Sequence, residues 1–538
     1  MRQKLKWDEM IGIFLLAVSV GLLGISVFLS FSSDIWYDEL FTMGMAGKPI
    51  SELISITARD VHPPLYYLIV KVFLTLTGTA GGSIAAQVAV AKLVSVLPFF
   101  LCLIYAGTKV RKNFGMFAAG LFSFLLLAMP QMADYTVEVR MYGYALFFIT
   151  AGMLHAYELV RMEKAESASE VAKEITVISQ RKRYVNWIAL TLYSLAACYT
   201  HYFACVAACM IYLYLLIIFW SGHRIKKEIR AYLISGFCCA AGYLPWIISA
   251  VTLQVGQVKE NYWIQPLSWR TLGGCARFLF EPSFTNGKLN VMLAVVLFLI
   301  YGVLVIKLFT GLIKGKKEKD SDKAAFVTGC IGVLAGIVIF GFLASFLIRP
   351  IFVYRYMLPA MGVFWLAFAI LISNLKGKKY LFVPVIILLL VIGVRDYRAF
   401  YGEEMWKRLQ MGAAEEALTQ VKEDDIVVFN FDQTQAVVSY YLDNETYLWY
   451  GEPEDLIREM YPHVYALVDG EFTDEAGIKK MLELVREYGQ IWFIGSGNAR
   501  DEIIQKWNNA GMEAEEKVSV MIERYWFNLY RIYIDDSP

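Results

Sequence analysis

The run PPLYYLIVKVFLTLTGT, residues 63–79, decides the topology of this chain, because it is apolar enough to pass for a membrane span and yet sits among charges. If it crosses a bilayer, every basic loop after it changes sides. Those loops are KVRKN (109–113), QRKR (180–183), HRIKKEIR (223–230), KGKKEK (314–319) and KGKK (376–379), and with MRQKLK at the start they carry the clustered Lys and Arg. Basic loops stay cytoplasmic. Leaving 63–79 out gives eleven spans, near 9–31, 85–108, 115–131, 141–162, 185–202, 204–220, 231–250, 290–312, 325–348, 357–374 and 381–395. All the basic clusters then fall on the side of the N-terminus. The run is therefore read as a helix lying at the outer face, begun by a proline pair suited to a first turn.

Composition agrees with a polytopic α-helical membrane protein. Over 538 residues, 58% are hydrophobic and only 18% charged, and the mean hydropathy is +0.49. A soluble enzyme is excluded by runs of about 15 to 25 apolar residues. The first span lacks a small-residue cleavage pattern after it and reads as an anchor rather than a removed signal peptide. Of the eight cysteines, all but Cys275 fall within spans, so no disulfide framework or CxxC pattern is expected.

The reading divides the chain at 398/399. Residues 1–398 form a transmembrane module with a large outer loop, 32–84, and 399–538 a small α/β domain. In that tail acids outnumber bases. With the N-terminus cytoplasmic and eleven crossings, the tail is extracytoplasmic. DDIVVFNF, HVYALVDG and GQIWFIGSG have the character of short buried strands, and EAGIKKMLELVREYG has apolar residues at helical spacing. The GSG at 495–497 is read as a turn, since a lone GxG specifies little.

Unusual polar residues collect on the outer side. DIWYDELFT (34–42) supplies Asp38 and Glu39, adjacent acids that point in different directions on a helix and could also cap it. DVHPPLYY (60–67) places Asp60 and His62 before rigid prolines, where they could ligate a divalent metal, hold a phosphate, or merely cap a helix. DYTVEVRMYGY (134–144) brings Asp134, Glu138, Arg140 and Tyr142, and YTHYF (199–203) brings His201. IRPIFVYRYMLP (348–359) adds Arg349, Arg355 and Tyr356, where arginine on the outer side runs against the charge rule and guanidinium suits phosphate. Together these are the parts for moving a group from a lipid phosphate to a hydroxyl, with a carboxylate base and cationic anchors.

WYDE after the first span, DVHPPLYY in the same loop, EVRMYGY at the fourth span and VYRYMLP at the tenth resemble the protein O-mannosyltransferase and aminoarabinose transferase group of integral-membrane GT-C glycosyltransferases. DVHPPL is the most specific piece. The resemblance covers most of the first 400 residues. It implies a polyprenyl-phosphate sugar donor, inversion by direct displacement, Asp38 as catalytic base with Glu39 beside it, and donor phosphate near Arg355 and Arg140. It implies as partners the bilayer and an acceptor glycan, lipid or protein, and no nucleic acid. Val61 and His62 stand where the aminoarabinose transferases carry glutamate and lysine, so a divalent metal at this point is left open. The tail is not the β-trefoil of the eukaryotic mannosyltransferases, which favours a bacterial-type enzyme. Two other classes compete, a lipid or saccharide transporter and a non-catalytic envelope assembly protein. The absence of internal repeats weighs against the transporter.

Overall fold

The computed structural model describes residues 6–168, 173–221, 225–257, 264–313, 318–375 and 377–535. His223, Arg224, residues 314–317, Lys376 and the first five residues, all parts of the basic clusters above, lie outside the described residues. The chain forms two compact units. One holds Met1–Phe28, Thr57–Tyr66 and Leu93–Phe400, the other Leu29–Ile56, Tyr67–Lys92 and Tyr401–Pro538.

Helices dominate the first unit. Among the described residues of the whole chain, nine helices are long and apolar enough to cross a membrane. Each coincides with one of the eleven sequence spans. The other two spans correspond to Met116–Ala128 and to the second half of Lys173–Cys198. Met116–Ala128 is 13 residues long, about 20 Å at 1.5 Å per residue, and falls short of the ~30 Å hydrocarbon core. It is buried along almost its whole length, so it packs among other helices. It also meets the first span at close range. A Cβ added at Gly120 would overlap the Gly12 carbonyl, and one added at Gly12 would overlap the backbone of Met116 and Phe117. These glycines let two backbones touch, the device that replaces hydrophobic driving force between helices in lipid. Tyr142–Met162 and Tyr354–Ser373 are the most deeply buried spans and pack on each other, with Gly362 accommodating Thr150 and Leu146.

The helix read from 63–79 is Leu65–Leu76, 12 residues and so about 18 Å. It falls short of the hydrocarbon core, as Met116–Ala128 does. Lys379–Leu418, by contrast, runs 40 residues, well past the span expected at 381–395 and through the 398/399 boundary. YRAFYGEEMWKRLQMGAAEEAL has no proline, and its Ala, Glu, Leu, Met, Lys and Arg outweigh Gly402 and Gly412, so the helix continues as a charged one.

In the second unit, six strands form one sheet. They are β1 (Val427–Phe429), β2 (Thr446–Leu448), β3 (Val464–Ala466), β4 (Gln490–Gly495), β5 (Glu513–Ile522) and β6 (Tyr525–Tyr533), in the order β3-β2-β1-β4-β6-β5. The first four are mutually parallel, and β5 and β6 add an antiparallel hairpin. Strand alternation sends Val427, Phe429, Trp492 and Ile494 to one apolar core and Val428, Ile491, Phe493 and Ile532 to the other. The helix expected at 475–489 is Asp474–Tyr488, started by Thr473, whose hydroxyl accepts the Ala476 N–H, and ended by Gly489 at φ 77°. GSG is a turn: Gly497 has φ 64°, and Ser496 exchanges two hydrogen bonds with the Asn430 side chain at 2.8 and 2.9 Å.

Candidate functional site

His201 is the centre of the first unit's polar cluster. The helix Lys173–Cys198 ends before it and Tyr202–Ser221 begins after it, so the imidazole projects from a turn and is only 2% exposed. Its Nδ1 accepts the Phe203 N–H at 3.1 Å, which leaves the proton on Nε2. Around the ring lie Tyr356 at 5.1 Å, Tyr142 at 5.6 Å and His62 at 5.9 Å between centroids. Burial, with the charges of His62, Arg140 and Arg355, holds His201 well below the usual histidine range. It is a neutral donor at physiological pH.

Asp60 and His62 enter this cluster from the proline turn. Leu65 N–H donates to the Tyr199 carbonyl at 3.0 Å, fastening DVHPPLYY to the turn that carries His201. His62 Nδ1 lies 3.6 Å from Asp60. Burial raises the Asp60 carboxyl, but His62 and Arg140 outweigh it and the group stays below its ordinary value. From the third quoted stretch, Arg140 and Tyr142 are buried, Glu138 is half-buried and Asp134 exposed. Tyr135 is pushed up by burial and by Glu138, Tyr142 and Asp134, against an opposing pull from Arg355. Thus six of the predicted residues, Asp60, His62, Arg140, Tyr142, Arg355 and Tyr356, converge on His201. Asp134 and Glu138 border them at Tyr135, while Arg349 lies just past the end of the Glu318–Leu347 helix.

In the second unit, Asp38 and Glu39 open the helix Tyr37–Gly47. Their directions differ as adjacent positions must. Glu39 is buried and turns back to accept the Trp36 N–H at 3.1 Å, the work of a helix cap. Asp38 is half-buried, and its charge acts on the Tyr525 phenol, which burial first of all pushes up to about 12. Tyr37 N–H reaches the same phenol at 3.4 Å, and the Arg524 guanidinium lies 4.0 Å over the Trp36 ring. Glu39 is thus committed to the helix start, and Asp38 points elsewhere.

The fold has solved counterparts. The apo crystal structure of ArnT from Cupriavidus metallidurans superposes with a TM-score of 0.56 at 11% identity, over 97% of both chains. ArnT from the same organism bound to undecaprenyl phosphate gives 0.50 at 12% identity, over 98% of this chain and 99% of that one. This chain has the GT-C fold. No protein-family profile matches the sequence, and no curated protein does.

Sequence reasoning passed over one pair in the second unit. Lys92 Nζ donates to Asp34 Oδ1 at 3.0 Å and to Ser32 Oγ at 2.7 Å, with both charged side chains almost fully buried. The signal was a lone lysine inside the apolar run VAVAKLVSV. Burial raises Asp34, but Lys92 and Ser32 more than offset it, so the carboxyl remains ionised. As for a metal, no group of three or more His, Cys, Asp or Glu side chains converges among the described residues. Asp60 and His62 offer two donors that are already paired with each other, short of the ligand count a divalent ion takes.

Proposed function

We propose that this protein is a glycosyltransferase that moves a sugar from a polyprenyl-phosphate donor to an acceptor hydroxyl at the outer face of the membrane. The observation that carries the reading is the convergence on neutral His201 of two guanidinium groups, Arg140 and Arg355, from separate segments of a full-length GT-C fold. Buried Arg140 and half-buried Arg355 suit a phosphate, and ArnT binds undecaprenyl phosphate. In the reaction, the acceptor oxygen attacks the anomeric carbon as the bond to the phosphate oxygen breaks, inverting the centre. Asp38 takes the hydroxyl proton. The leaving phosphate needs no acid, only charge neutralisation, which Arg140 and Arg355 supply with a hydrogen bond from a neutral tyrosine or His201 Nε2.

Transfer of radiolabelled sugar from a panel of polyprenyl-phosphate sugars, in lipid-reconstituted protein, tests this. The wild type should consume at least one donor, and Asp38→Asn should lose at least about a hundredfold in rate, the low end of a general base's contribution. Equal turnover in the two proteins removes Asp38 as base. Arg355→Lys keeps charge and loses the planar fork, so a rise in donor KM is expected with a smaller change in kcat.

The same reading places the N-terminus in the cytoplasm and the tail outside, supported by the cytoplasmic preference of Lys112 and the other basic loops. A cysteine introduced at Asp443 in a cysteine-depleted chain should react with an impermeant maleimide in intact cells, and one at Lys112 only after lysis.

A further inference from the structure

Beside the His201 cluster, the first unit contains a cavity of about 480 Å³ that the reaction above does not use. Its walls include Gln131, Arg277, Phe278, Glu281, Asn290 and Tyr354. Tyr354 begins the short turn Tyr354–Met357, so the turn that lays Tyr356 on His201 also lays Tyr354 in the cavity wall. The Tyr354 and Phe278 rings stack at 6.4 Å and 29°. Tyr354 leans directly on the helix Trp269–Phe280, where a Cβ added at Gly274 would overlap its hydroxyl.

The floor is fixed in advance. Ser283 N–H donates to Asp396 Oδ1 at 2.6 Å, Phe284 N–H to Asn290 Oδ1 at 3.1 Å, and Asn290 Nδ2 returns a bond to the Phe284 carbonyl at 2.8 Å. The Arg395 guanidinium covers the Phe284 ring at 4.8 Å. Gln131, also in the wall, holds φ 66°, a left-handed conformation costly for glutamine and of the kind found where a site fixes a side chain.

Charge narrows the ligand. Arg277 and Glu281 form a two-bond ion pair, so the wall carries both signs with no net charge and offers no excess cation to a phosphate. What is left is an aromatic pair, a planar amide, a carboxylate and a guanidinium around a space within the range of small-molecule sites. Aromatic faces accept the C–H faces of a sugar ring, and the polar groups accept and donate to its hydroxyls. We propose that this cavity binds an uncharged pyranose ring, that of a saccharide acceptor. The acceptor assignment rests on the transferase reading, and the sugar chemistry on the cavity.

Saturation-transfer NMR on the full-length protein in nanodiscs tests it, with the methyl glycosides of glucose, mannose, galactose and N-acetylglucosamine as probes. Gln131→Gly is the first variant, since glycine accepts φ 66° and removes the amide without strain. Tyr354→Leu is the second. At least one glycoside should receive saturation in the wild type, with apparent affinity falling about fivefold or more in both variants, and farnesyl phosphate should not displace it. Silence from every glycoside, or equal signals in variants whose melting temperature is unchanged, overturns the cavity as a sugar site. Displacement of the glycoside by a polyprenyl-phosphate sugar would assign the ring to the donor and overturn the acceptor role. Donor turnover compared with Asp38→Asn is read separately. Failed glycoside binding with intact turnover sinks this inference alone, and absent turnover sinks the transferase reading whatever the cavity holds.

Discussion

Lys92 and His201 set opposite demands on their surroundings. The lysine is charged and buried, so it depends on Asp34, and the aspartate depends on it equally. Lys92→Met should leave Asp34 as an uncompensated buried charge and cost about 3–5 kcal/mol, while Asp34→Asn in the same chain should restore much of the loss. Thermal unfolding in detergent measures both, and equal melting temperatures for wild type and Lys92→Met would refute the buried pair. His201 instead stays neutral because burial and two arginines oppose its proton. Its folded pKa lies below the unfolded value near 6.5, so the unfolded chain binds the extra proton first. The stability this gives is complete above that value and lost as pH falls below it, by at most about 1.4 kcal/mol for each pH unit. His201→Gln should flatten the decline in melting temperature between pH 7 and pH 5. An unchanged slope would mean that His201 titrates alike in both states. At this scale the sequence announced residue types but not their company. Histidine in YTHYF, arginine in VYRYM and aspartate in DVHPP were each visible as misplaced polarity, whereas Asp34 lay unremarked four positions before Asp38 because its partner is distant in the chain.

Helices are held here by what their small residues permit. The first span and Met116–Ala128 meet backbone to backbone at Gly12 and Gly120, so a larger side chain at either position must push the pair apart. Gly120→Val should lower the melting temperature by the equivalent of about 1–3 kcal/mol, the usual cost of overpacking. Gly21→Val, on the same first span where an added Cβ meets nothing, should not. Identical behaviour of the two variants would discount the close approach. Apolar length located the nine helices long enough to cross among the described residues, whereas Met116–Ala128 and Leu65–Leu76 differ by one residue in length, and only charge argued for counting the first and not the second. The short strands were legible where a continuous apolar run marks a strand buried on both faces, as in β1 and β4. Thr446–Leu448 and the hairpin β5–β6 were not. β2 reads Thr-Tyr-Leu without a continuous apolar run, and the Glu-rich β5 is fully buried only at its last three residues, so neither carries the hydrophobic signal that β1 does.

The division of the molecule follows packing rather than the order of the chain. Sequence composition changes at about residue 400, yet the second unit draws in Leu29–Ile56 and Tyr67–Lys92, which lie far earlier. The reason is a set of contacts that no local pattern reveals. Tyr441 donates to the Ser33 carbonyl at 2.7 Å and accepts the Ile35 N–H at 3.1 Å, Glu415 accepts from the Ser33 hydroxyl at 2.5 Å, and Tyr461 donates to the Leu40 carbonyl at 3.2 Å. Trp36 and Tyr37 pack against the sheet's first apolar core. The stretch holding Asp38 is thus secured by tail residues on both sides. A chain ending at Phe400 should keep its spans but lose hydrogen-exchange protection over 33–40 by at least about tenfold, with donor turnover falling to the level of Asp38→Asn. The loss follows from removing several hydrogen bonds at about 1 kcal/mol each. Unchanged protection over 33–40 after truncation would show that the loop is ordered by its own sequence, and would return the tail to a separate role such as acceptor recognition.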